Sequence, residues 1–309
     1  MNTIETKGLT KRYGTYTAVD NLNLKVAKGS ICGFLGKNGA GKTTTIKMLT
    51  GLAKPSSGAI SLSGVERRYG SNNNSNIGYL PDVPAFYGYM TAREYMNFCG
   101  KLYPMDGNKL KSRIDELLKQ VGLFDVKKNI STFSRGMKQR LGIAQALINE
   151  PDVIFLDEPI SALDPIGRNE VMTLIRSLRG FITVFFSTHI LTDVENTCDH
   201  VLILEKGKVL ADDTIANLKQ KRARNAALLR LYSPEDCNKF SAMVQDRNAF
   251  IIEPHSPTEI ILKAENLPVL SKRISAILVE ADISMESFQA YTPSLDDIFI
   301  EMTGGAASE

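Results

Sequence analysis

The stretch Gly36-Lys37-Asn38-Gly39-Ala40-Gly41-Lys42-Thr43 constrains this chain more than any other segment. It fits the pattern GxxxxGK[ST], in which glycines let backbone N–H groups curl around phosphate oxygens without Cβ clashes. The apolar strand Ser30–Leu35 precedes it and the helical run Thr44–Leu49 follows. That order points the positive end of a helix at the bound anion. Lys42 is then expected to reach the terminal phosphate oxygens, and the Thr43 hydroxyl to ligate Mg²⁺. A Gly-rich turn without a ligand is the plainer alternative, and the flanking strand and helix argue against it.

At 309 residues the chain has room for two domains, taking about 150 residues for each. The opening MNTIETKGLTKRYG lacks the apolar core of a signal peptide. Apolar runs such as Ile182–Phe186 fall far short of the roughly 20 residues that span a bilayer. Any membrane role therefore comes through a partner. Net charge is +3 and the pI is about 8.5, with no long basic stripe, so no nucleic-acid partner is expected. Cys32, Cys99, Cys198 and Cys237 form no CxxC pair and read as reduced cytosolic thiols, Cys32 within a buried strand.

Residues 1–215 alternate short β-branched runs with longer helical patterns, which predicts an α/β domain with a largely parallel sheet. Its clearest strands are Ser30–Leu35, Val153–Leu156, Thr183–Ser187 and His200–Glu205, with Ile77–Leu80 following a Gly/Ser/Asn-rich turn at Tyr69–Asn76. Thr91-Ala92-Arg93-Glu94 is a capping-box pattern opening a helix that carries Tyr95, Phe98, Cys99 and Leu102, an apolar spacing suited to packing. The basic segment Lys219–Arg224 reads as a solvated helix end or linker, with no interleaved aromatic residues to suggest nucleic-acid contact. Beyond it the pattern is strand (Ala227–Tyr232), helix (Pro234–Gln245), strand (Ala249–Glu253), strand (Glu259–Ala264), helix (Leu267–Glu280) and strand (Ser284–Ala290), then a last helix Leu295–Met302. The order βαββαβ predicts a ferredoxin-like second domain.

Two acids end the buried strand Val153–Leu156. Asp157 at the strand's carboxyl end suits the hydration shell of Mg²⁺, as the equivalent acid does in other phosphate-loop enzymes. Glu158 is then placed to orient or deprotonate an attacking water. Taken alone, an apolar strand ending in Asp-Glu is a weak signal, because acids often cap buried strands.

Phe133-Ser134-Arg135-Gly136-Met137-Lys138-Gln139-Arg140, read alone, is an N-capped helix. Between the phosphate loop and the acidic strand, it resembles the signature motif of ABC ATPases, usually written LSGGQ. Ser134 and Gly136 match, whereas Arg135 and Met137 replace a glycine and the glutamine. Other matches follow in the family's order over residues 2–215. Tyr13 resembles the aromatic residue that stacks on adenine, Ser161-Ala162-Leu163-Asp164 the loop that contacts the other subunit, and His189 the switch histidine at the γ-phosphate. The family usually has Gln where this chain has Asp82. A carboxylate there only accepts hydrogen bonds, so Asp82 either keeps a metal-sensing role with altered geometry or is a turn residue after Pro81.

The resemblance implies an α/β phosphate-loop ABC ATPase domain over residues 1–218, with a mixed sheet core and a helical subdomain at about 83–150, followed by a smaller α+β domain over 219–309. It implies ATP and Mg²⁺ as ligands. The nucleotide contacts are Tyr13, Gly36 to Thr44 (Lys37, Asn38, Gly39, Ala40, Gly41, Lys42, Thr43 and Thr44 included), Ser134, Gly136 and Asp164; the metal contacts are Thr43, Asp157 and Asp82; and Glu158, His189 and Lys42 take part in hydrolysis. It further implies a head-to-tail dimer of this chain and a separate transmembrane permease, on the cytoplasmic face of the membrane. Ala85-Phe86-Tyr87-Gly88-Tyr89-Met90 then lies either in the permease groove or in the helical subdomain's core. The second domain, with Tyr291–Phe299, resembles the accessory domain of bacterial multidrug- and antibiotic-type exporter ATPases, which makes dimerisation or regulation its expected role. Export is the first functional reading, and a nucleotide-gated regulator of a membrane complex is the alternative. A soluble ABC protein acting on ribosomes or DNA usually has two fused ATPase domains or coiled-coil arms, which this chain lacks.

Overall fold

The structure, a computed structural model, describes residues 1–67, 69–70, 76–222, 226–245, 250–263 and 267–303. Residues 71–75 of the expected Tyr69–Asn76 turn and residues 223–224 of the basic segment lie outside that set, as do 249 and 264 at the ends of two expected strands. The chain separates into two compact units, Met1–Ile215 and Ala216–Glu309.

The first unit holds two sheets. Strands β1 (Asn2–Tyr13) and β2 (Tyr16–Ala27) form an antiparallel hairpin. After β3 (Ile31–Leu35), β4 (Ser57–Leu62) and β5 (Val65–Arg67) extend that hairpin in the order β2-β1-β4-β5. The reading of a largely parallel sheet missed this layer. Register shifts along β1 break its side-chain alternation, so the period of two that reveals a half-buried strand is interrupted.

The second sheet has the order β10-β9-β3-β8-β7-β6. Here β6 (Ile77–Leu80), β7 (Val153–Leu156), β8 (Thr183–Thr188) and β9 (His200–Glu205) run parallel with β3, and β10 (Lys208–Thr214) closes one edge antiparallel to β9. Strands β3, β7 and β8 are buried along their whole length, as a parallel sheet covered on both faces requires. Their side chains join Ile4, Leu24, Ile46 and Ile60 in one core.

Helix α1 (Lys42–Leu49) follows β3, and α2 (Ala92–Gly100), α3 (Gly107–Gln120) and α4 (Arg135–Ala146) pack together, with α4 also against β6. The capping box at Thr91 and Glu94 forms, but the buried stripe of α2 is Ala92, Tyr95, Met96 and Cys99. Phe98 and Leu102, expected to pack, are 41% and 71% exposed. One face of α2 meets α3 and α4; Phe98 falls on the other, and Leu102 lies in the turn past the end of the helix at Gly100. Helices α5 (Pro165–Ser177) and α6 (Leu191–Thr197) follow β7 and β8, and α7 (Ile215–Arg222) follows β10.

In the second unit β11 (Ala226–Leu231), α8 (Pro234–Gln245), β12 (Ile251–Ser256), β13 (Glu259–Lys263), α9 (Leu267–Glu280) and β14 (Met285–Ala290) give the sheet order β12-β13-β11-β14, antiparallel throughout. This is the ferredoxin-like arrangement. Leu229, Leu231 and Leu262 meet Phe240, Val244, Leu270 and Ile274 in an apolar core. The last helix, α10 (Leu295–Met302), starts from a capping box in which Ser294 and Asp297 satisfy each other's backbone N–H groups. All four cysteines are free and buried, and Cys32 lies within β3.

Candidate functional site

Strand register assembles the site. Leu35 pairs with Thr188, Phe186 with Leu156, and Leu156 with Leu80. The parallel strands therefore end together, and the residues that follow them (Gly36, Asp82, Asp157 and His189) emerge on one edge. Open α/β sheets bind ligands outside the carboxyl ends of their strands.

The loop after β3 is closed by its surroundings. Gly41 has φ of 110°, and a Cβ there would lie 2.4 Å from the Ala18 carbonyl oxygen. A Cβ on Gly36 would lie 2.5 Å from the Leu204 oxygen. No other residue fits either position without moving backbone. The buried Lys42 donates to the carbonyl of Gly36 at 2.6 Å and reaches that of Lys37 at 3.4 Å. Its Nζ also stands 3.3 Å from Glu158 Oε1.

The acids after β7 are equally constrained. Asp157 is 1% exposed, and its Oδ1 accepts from Thr43 Oγ1 at 3.2 Å and from Ser187 Oγ at 2.7 Å. Glu158 takes a left-handed backbone with φ of 47°, and its N–H donates to Ser187 Oγ at 2.9 Å. Its Oε2 lies 3.1 Å from Nδ1 of His189, which is half-exposed. Burial, and then the charges of Asp157 and Asp82, push the nearby Tyr79 phenol up to about 12. A carboxylate and a hydroxyl at this spacing are hard oxygen donors, the kind Mg²⁺ takes together with substrate phosphates.

A cavity of about 360 Å³ opens over the loop, walled by residues 37–44 with Tyr13, Tyr16, Ala18, Asp82 and Glu158. Such a volume lies in the range of small-molecule sites. Tyr13 pairs with Tyr16 across the tight turn of the β1–β2 hairpin, and both half-exposed residues border the cavity. Sequence reasoning singled out Tyr13 and missed Tyr16. The signal was the Tyr-Gly-Thr-Tyr spacing, once read as a two-residue hairpin turn. It also missed Ser187, whose neighbours are visible only through the register.

Other expected residues stand apart from this cavity. Ser134 caps α4, accepting the Met137 N–H at 3.2 Å. Asp164 caps α5 by accepting the Gly167 N–H at 3.3 Å, and a Cβ built on Gly136 would sit 3.7 Å from the Gly167 Cα. These three cluster where α4 meets α5 and do not line the cavity over the loop. Asp82 links the regions. It borders the loop cavity and also a second cavity of about 330 Å³ with Val83, Pro84, Arg135, Lys138 and Gln139. Gln139 donates to the Asp82 carbonyl at 3.4 Å. Of the aromatic segment, Phe86 packs edge-on against Tyr95, while Tyr87 and Tyr89 are exposed beside Phe98.

Comparison with known proteins converges on one family. A family profile described as "ABC transporter" matches residues 19–161. The chain is 40% identical over 308 residues to the bacitracin transport ATP-binding protein BcrA of Bacillus licheniformis, a match covering 98% of this chain and 97% of that one. It is 33% identical over 309 residues to the daunorubicin resistance ATP-binding protein DrrA3 of Streptomyces coeruleorubidus, covering 97% of this chain and 96% of that one. Among solved structures, one described as the ATP binding subunit of an ABC transporter superposes with a TM-score of 0.64 at 30% identity, covering 71% of this chain and 93% of the other.

Proposed function

This chain belongs to the family of ABC transporter ATP-binding proteins, and from that premise we propose that it hydrolyses ATP to drive export through a separate membrane permease. The observation that carries the reading is the convergence of five groups at one sheet edge: Lys42 on Glu158, Glu158 on His189, and Thr43 on Asp157. In this reading the loop N–H groups and Lys42 hold the β- and γ-phosphates, and Tyr13 and Tyr16 flank the base. Thr43 and Asp157 hold Mg²⁺, which when bound screens the charge on the phosphate oxygens. A phosphate oxygen beside Lys42 competes with Glu158 for the ammonium, which frees the carboxylate to orient water. The water oxygen bonds to the γ-phosphorus as the bond from that phosphorus to the bridging oxygen breaks, and the water proton passes to Glu158 or a phosphate oxygen, leaving ADP and phosphate, while His189 steadies Glu158 and the γ-phosphate.

Ser134, Gly136 and Asp164 serve the nucleotide of a second copy of the chain, which accounts for their distance from their own loop. Two nucleotides sandwiched head to tail close the dimer, and hydrolysis reopens it. Among the described residues no helix is long and apolar enough to cross a membrane, so the membrane segment of the transporter is assigned to the permease, with this chain on the cytoplasmic face. The exposed Tyr87, Tyr89 and Phe98 form the surface offered to that permease. Bacitracin and daunorubicin in the relatives' names make a drug, antibiotic, peptide or lipid-like cargo the leading choice. The second unit serves dimerisation or regulation, and the two functional domains meet near residues 218–219.

The test is to purify the tagged chain from membranes in mild detergent, identify its partner and assay ATP hydrolysis beside Glu158→Gln. A multi-span permease together with loss of turnover in the variant supports an export motor. A soluble partner with turnover intact overturns it. Asp82 is assigned to the water shell of Mg²⁺, and wild-type Mg²⁺ dependence in both Asp82→Asn and Asp82→Gln would remove it from that role.

A further inference from the structure

We propose that Ser187 is a positioning residue for hydrolysis, fixing both acids at the end of β7 through one hydroxyl. The proposal rests on the reading of Asp157 and Glu158 given above. β8 runs parallel to β7 with Phe186 opposite Leu156, so the next step along both strands sets Ser187 beside Asp157. Ser187 is fully buried, and water cannot stand in for its partners. A backbone N–H can only donate and a carboxylate only accepts. The hydroxyl proton is therefore committed to Asp157 Oδ1 at 2.7 Å, and its lone pair to the Glu158 N–H at 2.9 Å.

This matters because Glu158 holds a backbone conformation that residues other than glycine avoid, with φ of 47°. Such conformations persist when surrounding contacts over-determine them, and they gather at functional sites. Three hydrogen bonds hold the backbone of the segment: Asp157 N–H donates to the Leu80 carbonyl at 2.9 Å, Glu158 N–H donates to Ser187 at 2.9 Å, and the Glu158 carbonyl accepts the Ser161 N–H at 3.1 Å. Removing the hydroxyl leaves the Glu158 N–H unpaired and loosens the left-handed turn, so its carboxylate drifts from Lys42 and His189. At the same time Asp157 loses the shorter of its two hydroxyl donors and is held by Thr43 alone.

The experiment measures ATP hydrolysis by the full chain carrying Ser187→Ala, in the wild-type and Glu158→Gln backgrounds, with nucleotide KM and a Mg²⁺ titration. A misplaced reacting group costs on the order of 10²-fold, so kcat should fall by about that much with nucleotide KM little changed. The Mg²⁺ requirement should rise. Groups that act as a unit are not additive, so at saturating Mg²⁺ Ser187→Ala should lower turnover no further once Glu158 is replaced. Ser187→Cys, which keeps a weak donor and acceptor at nearly the same size, should fall between wild type and Ser187→Ala, and it carries the test alone if Ser187→Ala does not fold. Wild-type kcat in both Ser187 variants, with turnover lost in Glu158→Gln, overturns this proposal only. A further drop in the Glu158→Gln background with a raised KM also overturns it, because the serine would then be a general structural residue. Wild-type turnover in Glu158→Gln overturns the reading of Glu158 and the proposal with it.

Discussion

Lys42, Gln139, Asp157, Ser187 and Thr188 are buried in the first unit, whereas in the second unit every buried side chain among the described residues is apolar. Buried polar groups cost free energy unless each finds a partner, so a fold selected for stability alone has little use for them. In the first unit Lys42, Asp157, Ser187 and Thr188 converge on the ends of β3, β7 and β8, and the turn after β7 contains two non-glycine residues with left-handed backbone, Glu158 and Ala162. The second unit reaches its sheet and two-helix core with Leu229, Phe240, Leu262 and Ile274, and among the described residues that core buries no polar cluster. One unit buries polar groups at its strand ends, and the described core of the other is apolar.

If that contrast holds, substitutions should separate activity from stability. The largest effect is expected for Glu158→Gln, which should lower kcat by roughly 10²–10⁴-fold while nucleotide binding and melting temperature stay near wild type. A melting temperature that fell in step with turnover would show the acid to be structural. The mirror experiment is Phe240→Ala in the second unit, where Phe240 is fully buried. It should cost about 3–5 kcal/mol in that unit's stability, read by denaturant unfolding, with turnover of the first unit retained below the transition. Loss of turnover under native conditions would break the comparison by making the second unit part of the catalytic machinery.

The units should behave alike where their chemistry is alike. Each has a capping box, Thr91 with Glu94 and Ser294 with Asp297. Thr91→Ala and Ser294→Ala should each cost about 1 kcal/mol, measured by unfolding of the respective unit. A much larger loss at either would point to a partner contact at that helix start. The smallest effect concerns the thiols. Burial pushes the thiol pKa of Cys32 and of Cys237 upward, so neither offers much thiolate at neutral pH. Both should react slowly with an alkylating reagent in the native chain and rapidly in denaturant, as read by mass spectrometry. Fast native labelling of Cys237 alone would mark local opening of the second unit.

The readable parts of the chain were those whose physics is local. Gly36 to Thr43 is a turn in which contacts under 3 Å require glycine at 36 and 41, and the pattern announces it. Val153–Leu156 is a continuous apolar run, which a fully covered strand needs. The second unit's βαββαβ order followed from alternating periods, and its antiparallel order β12-β13-β11-β14 fits that reading. The β1–β2 layer was harder, because bulges interrupt its alternation. The apolar residues Phe98 and Leu102 looked like core and lie outside it, because composition does not say which face of α2 meets a neighbour or that the helix ends at Gly100, before Leu102.

By itself the sequence determined which groups are available: a phosphate-cradling loop, two acids after a buried strand, a histidine after another, and an N-capped helix between them. Each depends on residues within a few positions, so it survives without knowledge of the fold. Tertiary structure decided which of these groups meet. Parallel register across β6, β7, β8 and β3 brings Asp82, Asp157, His189 and Gly36 to one edge, although more than 150 residues of chain separate the first from the last. It also turned Ser134, Gly136 and Asp164 toward the junction of α4 and α5, and set Ser187 between the two acids. A hydrogen bond needs its partners within about 3 Å, and only the pairing of strands distant in sequence sets that distance.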